Sequence, residues 1–198
     1  MSCLEQERTS SHGHREPLDP LCEFLLNSLI LRPTLLQRNG APFVTLRRWR
    51  AGMKPHQIEA LRQIKRDPGA RFVNAVADDI LAHLDTMLGG RVYQFVTPIP
   101  CSRSLPDACL PTLLAEKLAA RLGLTFADAL RIDPAEGKSH PKRNASRPPM
   151  RLIAPVRGAT ILVDDVATSG AHMEEATRLL LPEAKAVFAL AWIGGAPG

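Results

Sequence analysis

From Phe72 onward the chain keeps switching its hydrophobic period, and that alternation limits the folds open to it. Val73, Val76, Ala77, Ile80, Leu84 and Met87 fall on one stripe at helical spacing, with Asp78 and Asp85 on the other side. Gly89-Gly90 closes that helix. "VYQFVTPIP" is then a short β-rich run, terminated by Pro98 and Pro100, which have no N–H to give a ladder. Pro111 suits the first turn of a second helix, whose stripe is Leu114, Ala115, Leu118 and Leu122 and whose end is Gly123. "LTFADALRI" reads as a strand, Ala159 to Val163 as a buried strand, and Ala184 to Ile193 as a last one. Met173, Ala176, Thr177 and Leu180 mark the helix between the last two. Strands and helices taken in turn imply an α/β fold with a doubly wound, mostly parallel sheet.

Upstream the signals are weaker. Residues 1–19 are polar and mixed in charge, and they read as a flexible tail rather than a signal peptide. Leu21 to Leu31 reads as a helix too short to span a bilayer. "PFVTL" reads as a short strand, and Pro55 to Lys65 as another helix. This gives an expected organisation of tail (1–19), N-terminal helical extension (20–71) and main domain (72–198). Arg47, Arg48 and Arg50 around Trp49 could touch phosphates, but such a cluster is more often a solvated face with the indole packed inward. The four cysteines form no C-x-x-C pair, which argues against a cysteine-built zinc module and suits reduced thiols in a cytoplasmic protein. A formal charge of +5 over 198 residues makes an anionic partner reasonable. Aromatics at 5% disfavour a stacking platform for single-stranded nucleic acid.

Residues 133–157 hold five prolines, one glycine and six basic side chains without sustained periodicity. A loop of that length inside a compact domain is usually functional or disordered. Just beyond it, "ILVDDVATSGAH" runs from a buried strand into two adjacent carboxylates and then a loop of small and hydroxylated residues. In a parallel α/β sheet, ligands bind where strands end. Small residues at a helix start let backbone N–H groups approach a phosphate, and Thr168 and Ser169 add hydroxyl donors. Asp164 and Asp165 cannot serve that same phosphate, because like charges repel. They suit sugar hydroxyls, or the outer coordination shell of Mg²⁺. The plainer alternative, one Asp capping a helix, does not account for the pair together with Thr-Ser-Gly.

"ILVDDVATSGAH" resembles the phosphoribosyl-pyrophosphate (PRPP) motif of type I phosphoribosyltransferases. The resemblance implies the type I phosphoribosyltransferase fold with a flexible hood loop. It implies that Asp164 and Asp165 hold the ribose hydroxyls, and that Ala167, Thr168, Ser169, Gly170 and Ala171 cradle the 5′-phosphate, with His172 at the end of the loop where a Thr or Ser is common. Pro100, Cys101, Ser102 and Arg103 match the place of the family's pyrophosphate loop, with Arg103 joining the two carboxylates as a catalytic candidate. Lys138, Lys142, Arg143 and Arg147 match the hood by position. The "PIP" strand end and the upstream helices add a resemblance to the ComF-like or amidophosphoribosyltransferase-like branch, without an N-terminal zinc module. Thr168 stands where purine-salvage relatives carry an Asp, and a hydroxyl is a poor general acid or base.

The implied activity is Mg²⁺-dependent transfer of a phosphoribosyl group from PRPP to a small nitrogenous acceptor, releasing pyrophosphate. The alternative is a non-catalytic PRPP sensor, or a competence or DNA-processing accessory with a basic surface. Nucleic acid is the less favoured partner, no membrane partner is expected, and a homodimer is left open.

Overall fold

The computed structural model describes residues 17–101, 109–132 and 149–195. The expected tail therefore lies largely outside the described residues. Helix α1 (Pro20–Ser28) is started by Asp19, whose side chain accepts from the Leu21 N–H at 2.8 Å. Strands β1 (Ile30–Arg38) and β2 (Ala41–Arg48) form a hairpin. Its two-residue turn is Asn39-Gly40, with φ of 45° and 85°. Positive φ at both turn positions fits the twist of paired strands, and Asn-Gly is the pair that tolerates it. Helices α2 (Lys54–Ile64) and α3 (Ala70–Leu88) follow, then β3 (Phe95–Pro98) and α4 (Leu110–Leu122). Strands β4 (Thr125–Phe126), β5 (Leu130–Ile132) and β6 (Met150–Leu152) are short. Strand β7 (Ala159–Ala167), α5 (Ala171–Leu180) and β8 (Ala186–Gly194) complete the chain.

The main sheet has the order β1-β2-β8-β7-β3-β4, and every neighbouring pair except β1/β2 is parallel. The expected α/β class with a mostly parallel sheet is what the chain forms. Residues 20–71 differ from a purely helical extension. They supply β1 and β2, and β2 hydrogen-bonds directly to β8, so this segment is continuous with the main sheet. "LTFADALRI" divides into β4, which joins the main sheet, and β5, which pairs antiparallel with β6. Residues 150–152 are therefore a strand within the stretch expected to be a loop.

Two apolar clusters cover the faces of the sheet. One gathers α1, α2, α3 and α4 around Leu46, Ile161, Val163 and Trp192. The other joins Phe43, Leu162, Met173 and Leu180 to β5 and β6. Trp192 is fully buried and meets Phe72 edge to face at 5.8 Å. Its indole N–H donates to Asp79 Oδ2 at 2.8 Å, and Arg47 makes a two-pronged ion pair with the same carboxylate. Arg50 donates to the Ser28 carbonyl at 3.0 Å. These two arginines of the basic cluster thus tie β2 and the chain after it to neighbouring segments. Among the described residues no helix is long and apolar enough to cross a membrane.

Candidate functional site

The parallel strands β2, β8, β7 and β3 end on one edge of the sheet, and the acidic pair emerges there. β7 loses its β3 neighbour after Val163, because Pro98 and Pro100 end that partner; the last link is the Ile99 N–H to the Val163 carbonyl at 2.8 Å. Pairing with β8 continues to Ala167, where the Gly195 N–H donates to the Ala167 carbonyl at 2.7 Å. The strand edge facing β3 is thus open at Asp164 and Asp165 while the other edge stays fixed.

Thr168, Ser169 and Gly170 turn the chain into α5. Gly170 has a φ of 71°, and an added Cβ would fall 2.5 Å from the Phe43 ring. The backbone therefore lies directly on an aromatic ring of β2, and only glycine fits both the conformation and the contact. The hairpin tip clamps the same turn. Arg38 donates to the Ser169 carbonyl at 3.2 Å and pairs with Glu174 at 2.9 Å. Asn39 donates to Glu174 at 3.1 Å, and Asn39 first and Arg38 second hold the Glu174 carboxyl below its ordinary range.

A cavity of about 140 Å³ opens at this turn, bounded by Asp164 and by the run from Val166 to Met173. Ala167, Thr168, Ser169, Gly170, Ala171 and His172 all line it. The Thr168 and Ser169 side chains are exposed, and the turn leads into the N-terminus of α5, where anions are favoured.

The two carboxylates lie against each other but differ in their further surroundings. Asp164 borders the cavity. Asp165 is not among its walls; it reaches toward α2, where Lys65 Nζ lies 2.5 Å from Asp165 Oδ2. The ammonium approaches outside hydrogen-bonding direction, so Oδ2 gains a counter-charge without a directional donor. The Asp165 N–H donates to Asp164 Oδ1 at 2.8 Å. Burial, and then the neighbouring Asp165 charge, push the Asp164 carboxyl well above the usual carboxylate range, with Lys65 opposing them.

Pro100 and Cys101 continue from β3 and line a second cavity, of about 190 Å³, with Thr112, Glu116, Asp128 and Arg131. Cys101 is joined to Cys109 by a disulfide with Cα atoms 6.2 Å apart. This corrects the expectation of reduced thiols for these two cysteines, while Cys22 is a free buried thiol and Cys3 lies outside the described residues. Spacing along the chain does not reveal that pairing. Ser102 and Arg103 lie outside the described residues, as do Lys138, Lys142, Arg143 and Arg147.

The residues that sequence reasoning missed are Lys65, Arg38, Asn39 and Phe43. Asn39-Gly40 carried a usable hairpin signal. Lys65 carried none, since nothing local distinguishes it from other polar residues at a helix end.

No family model matches the chain, and no curated protein matches it. Among solved structures it is similar to an adenine phosphoribosyltransferase at 16% identity, covering 88% of this chain and 89% of that one, with a TM-score of 0.47. It is similar to the orotate phosphoribosyltransferase from Aeropyrum pernix at 17% identity, with 88% and 81% covered and a TM-score of 0.45. A third is the adenine phosphoribosyltransferase from Saccharomyces cerevisiae, complexed with an imino-altritol bisphosphate and adenine, at 15% identity, 88% of each chain and a TM-score of 0.46. At such identities the likeness concerns the α/β fold.

Proposed function

We propose that this chain binds PRPP at the β7–α5 turn and transfers its phosphoribosyl group to a nitrogen nucleophile, releasing pyrophosphate. The observation that carries the reading is one cavity bounded both by a buried carboxylate, Asp164, and by a small-residue loop at a helix start, Thr168 to Ala171. The loop suits a terminal phosphate, and the carboxylate suits the hydroxyls of the sugar attached to it. Phosphate and vicinal hydroxyls on one small molecule match both halves.

In such a transfer the bond from the sugar to pyrophosphate breaks as the new bond to nitrogen forms, and positive charge develops on the ribose. The chain's part is to hold the ribose by Asp164 and its phosphate by the loop, so that the reacting carbon is fixed. Arg103 and the basic residues of 133–157 are assigned to the leaving pyrophosphate on the resemblance of the motif. Among the described residues no group of three or more His, Cys, Asp or Glu could hold a metal. Mg²⁺ demands oxygen ligands and usually takes most of them from substrate phosphates and water. The donor set fits that arrangement, with Asp164 the chain's own oxygen donor near the site. When bound, Mg²⁺ neutralises charge on the pyrophosphate. The absence of an acidic residue at Thr168 argues against a purine acceptor that shares a proton there, and the ComF-like resemblance makes a small amine or base the acceptor class to screen first.

The test is calorimetric titration with PRPP and Mg²⁺, followed by pyrophosphate release with a panel of bases and amines. Binding with turnover on one acceptor supports the reading in full. Binding without turnover on any of them favours a sensor, and no binding of PRPP overturns the proposal.

A further inference from the structure

The turn between β7 and α5 is held by contacts from outside its own sequence. Gly195, just beyond β8, donates its N–H to the Ala167 carbonyl at 2.7 Å, and a Cβ on it would fall 2.7 Å from the Thr168 Cα. Gly170 rests on the Phe43 ring of β2. Arg38, at the end of β1, donates from Nη1 to the Ser169 carbonyl at 3.2 Å. Its Nε donates to Glu174 Oε2 at 2.9 Å, and Asn39 donates to Glu174 Oε1 at 3.1 Å. One guanidinium thus grips both the turn and the start of α5, where the Glu174 N–H bonds the Gly170 carbonyl at 2.9 Å.

A trans peptide is planar, and its C=O and N–H point in opposite directions. The peptide joining Ser169 to Gly170 has its carbonyl turned toward Arg38. Its N–H, that of Gly170, is therefore turned away from Arg38. Ser169 and Gly170 both border the loop cavity, whereas Arg38 is not among its walls. We infer that Arg38 is a positioning residue: by holding the Ser169 carbonyl on the hairpin side, it aims the Gly170 N–H at the phosphate of the ligand. The inference rests on the phosphate half of the PRPP reading, and it gives the β1–β2 hairpin a part in the site without ligand contact. Arg38 acts in a second way. Glu174 lies in the first turn of the helix that would receive the phosphate, and its charge opposes an anion there. Arg38 and Asn39 each occupy one of its oxygens. With Arg38 absent, the peptide loses the donor that fixes its plane, and the Glu174 charge loses its cation.

The experiment titrates wild type, Arg38→Met and Arg38→Lys with ribose 5-phosphate, and with PRPP and Mg²⁺, while NMR follows the Gly170 amide. In wild type the Gly170 amide proton should move downfield as either ligand saturates, the mark of a charge-assisted hydrogen bond. Arg38→Met is expected to bind both ligands about tenfold more weakly, and at saturation its Gly170 proton should move much less. Arg38→Lys keeps the charge but has no planar fork to hold two acceptors at once. It should recover only part of the affinity and little of the Gly170 response. Arg38 is 41% exposed, so neither substitution opens the core. A Met variant that binds like wild type overturns the inference. So does a variant that binds weakly while its Gly170 amide responds in full, or a Lys variant that binds like wild type, because Arg38 then acts by charge alone. A wild type that binds either ligand without moving the Gly170 amide sinks this inference and leaves the phosphoribosyl reading standing. A wild type that binds neither ligand sinks both.

Discussion

Two aspartate centres in this molecule, one largely and one fully buried, each draw a basic partner from the N-terminal segment, and they are finished differently. Asp79, on α3, accepts from both prongs of Arg47 and from the Trp192 indole, so both its oxygens are occupied. Around Asp164 and Asp165, one oxygen takes a backbone N–H, another has only an off-axis ammonium, and Asp164 opens on a cavity. The first centre is closed and holds α3 to the sheet. The second is left short of donors at a strand end. Buried polar groups are normally satisfied, and the unsatisfied atom here, Asp165 Oδ2, belongs to the neighbour of the carboxylate that borders the cavity; under the proposed reading a ligand completes the set.

The sharpest way to break this contrast is Asp164→Asn. Affinity for PRPP with Mg²⁺ should fall on the order of 100-fold or more, the scale of losing charged hydrogen bonds to a ligand. Titration calorimetry measures it, and an affinity within a few-fold of wild type would show that Asp164 does not meet the ligand. The same substitution should stabilise the unliganded protein in a pH-dependent way. Folded Asp164 holds its proton to a higher pH than the unfolded chain does. Wild-type stability from this group is therefore present at low pH and is lost as pH rises from about 4, the unfolded carboxylate value, through the raised folded one. Asparagine does not titrate there. The stability difference in favour of the mutant should thus widen with pH over that window and then level. Urea melts at several pH values would test it, and a constant difference would place Asp164 in a more hydrated setting than the structure gives it.

Asp79→Asn should cost stability and spare affinity. It leaves Arg47 without its counter-ion where both side chains are largely buried, at 18% and 12% exposed. The expected loss is about 2–3 kcal/mol of stability, somewhat below the cost of breaking a fully buried pair because both side chains keep some exposure. Affinity for PRPP should stay near wild type wherever the protein is folded. A large loss of affinity without loss of stability would erase the division between the two centres.

The two centres also differ in how far the chain announces them. β7 and the turn into α5 were legible because local chemistry shapes them: an apolar run, an acidic pair, small residues, then helical spacing. The ends of α3 and α4 at Gly89 and Gly123 were legible for the same reason. The partners of the carboxylates were not, because Arg47–Asp79 and Lys65–Asp165 join residues that only the folded sheet brings together. β1 escaped notice because nearly all its residues are exposed and it has a register shift between Leu31 and Thr34, around Pro33, so it lacks the alternation of a half-buried strand. The apolar Leu29 to Leu31 then extended the apparent helix past its real end at Ser28. β6 is three residues long, and its Met150 N–H is held by Glu175 of α5 at 2.8 Å, a contact no window of residues 133–157 contains.

The smallest effect tests whether any unsatisfied buried polar atom would have been read as functional. Thr177 Oγ1 is buried on α5 without a hydrogen-bond partner among the described residues. Thr177 is not among the walls of the loop cavity, and it sits on the inner face of α5 with Met173, Ala176 and Leu180. An unpaired hydroxyl in apolar surroundings costs its hydration and returns nothing. Thr177→Val keeps the branched shape and removes the oxygen. The expected gain is about 0.5–1 kcal/mol, a little offset by the slightly poorer fit of a second methyl. Affinity for PRPP should not change, because the first turn of α5 and the Ser169 and Gly170 backbone are untouched. Paired urea melts and titrations would measure both. Stabilisation with affinity kept would mean that what distinguishes the acidic pair is the cavity that Asp164 faces together with the missing donor at Asp165. A tenfold loss of affinity in Thr177→Val would mean that the shortfall at α5 also belongs to the ligand site, and the contrast between a closed and an open centre would have to be redrawn around the whole helix.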